Sequence, residues 1–533
     1  MYFIKQRYWI LFFILTCLHT QAQNFSDDYK WVPVNRSVFS FNDTIDLSSP
    51  LSAFVTSMYN QAAGRASRFC DIATEEFRSF MINQKDHPVD QHKKEQLLKR
   101  NIYELILYKD SVAGIITNYD ENGEYLIGYV NLEHGRWVNS GEDICPDIEA
   151  ARKKIESFLP KRLEQVRRIE QLSQTPTDTI AFINYLREYG QEPDEFLLDA
   201  LNNHKIVIYG ETHFRKESWN FLKKVVRNKE FPKKVETIFL EQSVAFQPKL
   251  DRFFSEPKLE PKLLLDILGN NAYFGFEDRG LYEFLIEVWK VNQKLTSTQK
   301  IRVLATDTPE ADQGIEWSEI QTTEDYLKTV QNINRDLFMF QTIENVIKTQ
   351  QNRGNLFIVG INHAMKKSND NRVATLLSDR FSPEEVFSVM VHTPVSDNHG
   401  NYYGLLRNGI FDYAFHKEDD KPVAFNLYNS PFGNQLFDRN EQIRTYPSSA
   451  SYQDNYDGYI FLKPVEKGRM YLLYDLYSKK YIAELKRRAH LLNTNTVRGI
   501  PVDSLTVRQI TIKLKRLKKE NKERLQAVSL KNK

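Results

Sequence analysis

Two histidines stand three residues after a glycine, in Gly210-Glu211-Thr212-His213 and in Gly360-Ile361-Asn362-His363. Each motif follows a short apolar run rich in β-branched residues, 205–209 and 356–359. An imidazole titrates near neutral pH, so in such a place it can accept a proton, donate one or ligate a metal. Glycine before it gives the chain freedom to turn with an unusual φ and lets a ligand approach closely. Two further runs of the same kind end in carboxylates, 237–240 in Glu241 and 301–305 in Thr306-Asp307. A carboxylate paired with an imidazole makes a workable general base. Any one Asp or Glu after a strand reads more simply as a cap for the next helix. The coincidence of four strand ends, carrying Glu211, His213, Glu241, Asp307, Asn362 and His363, is what marks chemistry here. Arg335, in Asn334-Arg335-Asp336, is a candidate fixed cation for an oxyanion or a carboxylate. Its alternative reading is a surface Arg–Asp pair, with Phe338 and Met339 facing a core.

These residues need a scaffold that brings strand ends together. Short continuous β-branched runs alternating with helical stretches predict a parallel sheet buried on both faces. Ligands bind such sheets outside the carboxyl ends of their strands. Further strands are expected at 386–392 and 458–462, and one long helix over 323–351. Walls of a pocket would come from helices at 214–230 and 259–295 and from the loop 308–317. Ahead of this region, 24–190 reads as a smaller α+β domain with an accessory or partner-binding role. It carries a helix near 52–81, strand-like runs at 103–119 and 124–138, and a charged helix at 147–172. Asn122-Gly123 between the two runs is a hairpin signal, since both residues tolerate positive φ. Residues 173–177 read as a linker, and 471–533 as a basic helical tail. The fold class is therefore α/β, a mainly parallel sheet with helices on both faces, with domains at 24–190 and 191–470.

The 533 residues hold 72 Lys+Arg against 70 Asp+Glu, with 41% apolar content. That composition excludes collagen-like, disordered and disulfide-scaffold classes, and a net charge of +2 points to no nucleic-acid partner. Lys5 and Arg7 before the apolar run 8–18 and a small residue at Ala22 read as a signal peptide over 1–23. The run is shorter than the roughly 20 apolar residues of a spanning helix, and no later stretch reaches that length. We therefore expect an exported protein, periplasmic or extracellular. Cys17 is a poor lipidation site because Thr16 precedes it. Cys70 and Cys145 are free to pair in an oxidising compartment or to stay as buried thiols. The segment 508–533 holds ten Lys/Arg and two Glu, leaving 24–507 at −8. Ile510, Leu514, Leu517, Leu525 and Val528 recur at helical spacing there, so the tail either packs one apolar stripe or contacts an anionic surface.

The order of Gly-Glu-Thr-His, Leu240-Glu241, Ala305-Thr306-Asp307, Arg335-Asp336-x-x-Met339 and Gly360-x-Asn362-His363 resembles that of the erythromycin esterase-like and ChaN-like haem-uptake proteins. These belong with the wider Tiki/TraB metalloprotease superfamily. Phe411-Asp412 and Tyr456-Asp457-Gly458-Tyr459-Ile460 extend the likeness, which covers roughly residues 195–465. Phe340 departs from the Ala common after the Met in those relatives. The resemblance implies that His213 activates water for attack on an ester carbonyl, with Glu211 or Glu241 orienting it and His363 assisting. The metalloprotease relatives would instead imply a divalent metal (Zn, Mn or Co) on His213, Glu241 and His363. The ChaN-like relatives would imply haem, bound without turnover. No Gly-x-Ser-x-Gly elbow is present, which disfavours a serine nucleophile. Three readings follow. They are a hydrolase acting on a small molecule or peptide, a ligand-binding protein, and an interaction scaffold.

Overall fold

The computed structural model describes residues 28–41, 46–65, 86, 88–119, 123–133, 135–173, 178–350, 353–367, 371–396, 402–438 and 450–530. The leader at 1–23, Cys70, Asp120-Glu121-Asn122 and most of the 173–177 linker lie outside them. The chain divides into two compact units, Met1–Gln171 with Glu441–Ser449, and Leu172–Asn440 with Ala450–Lys533.

In the first unit five strands form an antiparallel sheet in chain order: β1 (Tyr29–Ser37), β2 (Asn101–Tyr108), β3 (Val112–Asn118), β4 (Tyr125–Glu133) and β5 (Arg136–Cys145). Alternation divides the apolar residues between its faces. Ile102, Ile115 and Val130 meet Phe54 and Met58 of the helix Pro50–Ala62, while Ile116, Ile127 and Tyr129 meet Ile155 and Leu159 of the helix Ile148–Ser173. The runs 103–119 and 124–138, expected as single strands, each fold into parts of two. Lys109 and Asp110 both take left-handed φ, 48° and 51°, within the three-residue hairpin loop 109–111, which carries no Asn-Gly signature. Gly135, at φ 76°, turns the second run. Cys145 is a buried free thiol.

The second unit is built on a seven-stranded sheet. Its strands are β6 (Ile206–Glu211), β7 (Val235–Ser243), β8 (Arg302–Asp307), β9 (Gly354–Gly360), β10 (Val386–Val391), β11 (Val423–Asn426) and β12 (Gly458–Phe461). Their spatial order is β11-β12-β10-β6-β9-β7-β8. Neighbours pair in parallel except β11 and β12, which are antiparallel. β6 is buried along its whole length, and Val207, Tyr209, Ile238, Leu240, Leu356 and Ile358 enter one large apolar core. Burial of this kind, roughly 25 cal/mol per Å² of apolar surface, is what holds a continuous β-branched run inside.

Two helical expectations need correction. The stretch 323–351 is two helices, Thr323–Lys328 and Arg335–Ile347. Asn332 turns with φ 52°, and the Asn334 side chain accepts the Leu337 N–H at 3.0 Å as an N-cap. The stretch 259–295 is likewise two helices, Pro261–Asn270 and Arg279–Asn292, with a loop between them. In the tail, Lys479–Leu491 and Val507–Leu530 are helical, and Ile510, Leu514, Leu525 and Val528 are buried. Among the described residues no helix is long and apolar enough to cross a membrane.

Candidate functional site

Four adjacent parallel strands, β6, β9, β7 and β8, present their carboxyl ends side by side. The edge thus carries Glu211 at the end of β6 with His213 just beyond it, Gly360 at the end of β9 leading into the turn to His363, Glu241 in β7 and Asp307 at the end of β8. A register irregularity between Leu240 and Ser243 falls on Glu241, where a bulge re-aims a side chain. A cavity of about 190 Å³ opens here, lined by Glu211, His213, Glu241, Asp307 and Arg335. His363 and Asn362 do not line it.

The polar groups interlock. His213 Nδ1 and Glu211 Oε1 are 2.5 Å apart, and 44% of the His213 side chain is exposed. Glu211 is only 4% exposed, and its other oxygen has no hydrogen-bond partner among the described residues. Arg335 donates from Nη2 to Glu241 Oε1 at 2.9 Å and from Nε to Asp307 Oδ1 at 3.1 Å, with a second bond to Asp307 Oδ2. The break before Arg335 puts it in the first turn of its helix, which is how it reaches two strand ends. Glu241 Oε2 accepts the Gly360 N–H at 2.7 Å, and His363 Nε2 lies 3.4 Å from Glu241 Oε1. His363 Nδ1 is held by Asp336 at 2.7 Å, and Asp336 also accepts the Val373 N–H at 2.8 Å.

Neither motif glycine has positive φ. Space is their function. A Cβ on Gly360 would stand 3.2 Å from Glu241 Oε2 and 3.4 Å from His213 Nε2, so this position lets the two side chains close over the backbone. The left-handed residue is Phe214, at φ 65°, directly after His213. Strained backbone of this kind persists only where surroundings impose it. Asp278 does so. It is fully buried and accepts the Phe214 N–H at 2.8 Å and Trp219 Nε1 at 3.0 Å on one oxygen. Its other oxygen accepts the Gly280 and Leu281 N–H groups at 2.7 and 3.2 Å.

Electrostatics follow from this packing. Burial alone would push the His213 pKa down, but the charge and hydrogen bond of Glu211, with Glu241 and Asp278 beyond, push it up to about 10. Burial opposes ionisation of Glu241, yet His363, His213, Arg335 and the Gly360 N–H together hold it down to about 2. Burial raises the Asp307 carboxyl, with Arg335 pulling the other way. Burial and the Glu211 charge push Asp278 up to about 7 against its N–H donors. These shifts favour an imidazolium beside the guanidinium at the cavity, each backed by carboxylates.

The metal set expected at His213, Glu241 and His363 does not fit this arrangement. Glu241 already gives one oxygen to Arg335 and the other to Gly360, and the guanidinium lies where a cation would be repelled. Among the described residues no group of three or more His, Cys, Asp or Glu side chains is placed to hold a metal ion. Two residues escaped the sequence reading. Asp336, for which a surface pair with Arg335 was one of two readings, is buried against His363, and Asp278 carried only the signal of an Asp before a helix start.

No family model matches the chain, and no curated protein matches it. Among solved structures, a Bacillus cereus protein aligns at 12% identity and TM-score 0.38, covering 54% of this chain and 97% of its own. An erythromycin esterase mutant in its open conformation aligns at 10% identity and TM-score 0.32, covering 50% and 92%. Campylobacter jejuni ChaN, with cofacial haem, aligns at 15% identity and TM-score 0.25, covering 37% and 85%. At such values these likenesses carry no functional argument, which falls to the residues of the sheet edge.

Proposed function

We propose that this protein is a hydrolase of ester or peptide-like bonds, with His213 as its proton-transfer group and Arg335 as its fixed cation. The observation that carries the reading is the His213–Glu211 pair at a cavity shared with a guanidinium pinned by two carboxylates. Nδ1 of His213 is committed to Glu211, which leaves Nε2 as the atom that takes a proton from water. Water then adds to the substrate carbonyl, and the imidazolium returns its proton to the leaving group as the acyl bond breaks. Glu211 stabilises the imidazolium formed between those two steps. Arg335, held by Glu241 and Asp307, meets the negative charge that develops on the carbonyl oxygen. Glu211, Glu241, Asp307 and Arg335 thus act at the site, while His363 supports Glu241 from behind.

Because the imidazolium is favoured at rest, the reactive neutral form is the minority near pH 7 and grows as pH rises. The export signal expected over 1–23 belongs to this reading, in which the hydrolase acts outside the cytoplasm. The test is a panel of chromogenic esters and peptides assayed with purified protein and with His213→Ala. Hydrolysis by the parent and its loss in the variant support the proposal. A Soret band on haem titration, with no turnover of any substrate, would replace it with the binding reading.

A further inference from the structure

The sheet edge uses the histidines and carboxylates of the second unit, but the basic helix Val507–Leu530 takes no part in it. Its apolar stripe is spent on packing. Ile510 and Leu514 enter the main core, Leu525 and Val528 pack with Leu405 and Val465, and Asn521 donates to the Tyr402 hydroxyl at 2.9 Å. At 100° per residue those positions share one side of the helix. Arg508, Lys515, Arg516, Lys519 and Lys522 fall on the opposite side, and all five are exposed. They extend over about 20 Å of a helix rising 1.5 Å per residue. Lys518 flanks them, also exposed.

Little answers this charge. Glu520 pairs with Arg516 at 2.7 Å and Glu523 with Lys519 at 3.6 Å, both within the helix. Among the described residues no carboxylate from another element pairs with the five. Like charges one turn apart, such as Lys515 and Lys519 or Lys518 and Lys522, repel each other, and an external anion relieves that. Ile512 stands 55% exposed in the middle of the basic face. We propose that this face docks the protein on a bilayer of anionic phospholipid, with the Lys/Arg row on the headgroups and Ile512 at their depth. A row of cations along one helix face with one aliphatic centre suits a planar surface. The face carries no aromatic side chain, so it lacks the platforms on which single-stranded nucleic acid stacks.

The experiment is co-sedimentation of the full chain with phosphatidylcholine vesicles, with and without about 30 mol % phosphatidylglycerol. It is repeated at about 0.5 M salt, where surface attraction is screened. A variant with Arg508→Gln, Lys515→Gln, Arg516→Gln, Lys519→Gln and Lys522→Gln keeps good helix formers at exposed positions, and circular dichroism checks that it folds. The proposal predicts at least roughly ten-fold tighter binding to the anionic vesicles, lost in the variant and at high salt. Equal binding to both vesicles, no binding, or unchanged binding by the folded variant would overturn it. Retention on a DNA duplex with none on vesicles would overturn it as well.

Discussion

At the residue scale the account rests on an imidazole whose proton affinity is set by its neighbours. Glu211 lies 2.5 Å from Nδ1, and its charge is the main reason that the His213 pKa is pushed up to about 10 from the ordinary 6.5. A base that must be neutral to act then gives kcat/KM that climbs with pH and levels off above about 10. Glu211→Gln removes the charge and leaves the burial, so the midpoint of that climb should fall by several pH units; an unmoved midpoint would assign the limb to another group. The linkage has a definite sign. A folded-state pKa above the unfolded value contributes stability below about pH 6.5 that is lost as pH rises through the folded value. Asp278 is the second residue on which the site depends, since it accepts the N–H of left-handed Phe214 beside His213 while three further N–H donors fix its carboxylate. Asp278→Ala would strand those donors and cost about 3 kcal/mol or more, measurable by denaturant unfolding. A loss under about 1 kcal/mol would show that the bonds are easily replaced. That residue was not legible in the sequence because an Asp ahead of Arg279-Gly280 reads as a helix cap, which it also is.

At the scale of elements, strand ends were legible and interruptions were not. The β-branched runs announced β6 to β9, and Gly-x-x-His marked two of their ends, because a strand buried on both faces admits little else. The break at 329–334 stayed hidden, since the apolar spacing continues through it and only Asn332 and Asn334 betray it. Yet that break is what brings Arg335 to Asp307 and Glu241. Asn334→Ala should therefore cost about 1 kcal/mol, a fall of about 2 °C in Tm, and lower kcat/KM through a loosened Arg335. Unchanged kinetics in a destabilised variant would separate the cap from the site. Gly360→Ala tests the close approach directly. Its φ suits any residue, so Tm should stay near that of the parent while the added methyl crowds Glu241 and His213. A decline of roughly ten-fold in kcat/KM is expected, and full activity would mean that the two side chains need no such contact.

At the scale of the whole molecule, charge and chemistry are segregated within one chain. The carboxylates that back His213 and Arg335 gather at one sheet edge, and the surplus of Lys and Arg lies on the helix Val507–Leu530. The near balance of 72 and 70 charged residues conceals this, so net charge is a poor guide to where the protein would meet a partner. Spacing in the sequence could bring two histidines and three carboxylates to one edge, but it could not say that the guanidinium of Arg335 sits against Glu241 in place of a metal. That distinction depends on side-chain reach across strands β7 and β8, which only the folded chain expresses. The most direct measurement is kcat/KM for the parent and His213→Ala on the same ester and peptide panel between about pH 6 and about pH 11. The account predicts a parent rate rising with pH toward about 10, and a variant lower by about 10²- to 10⁴-fold with the rise abolished. A variant that matches the parent in rate and in pH profile would contradict it.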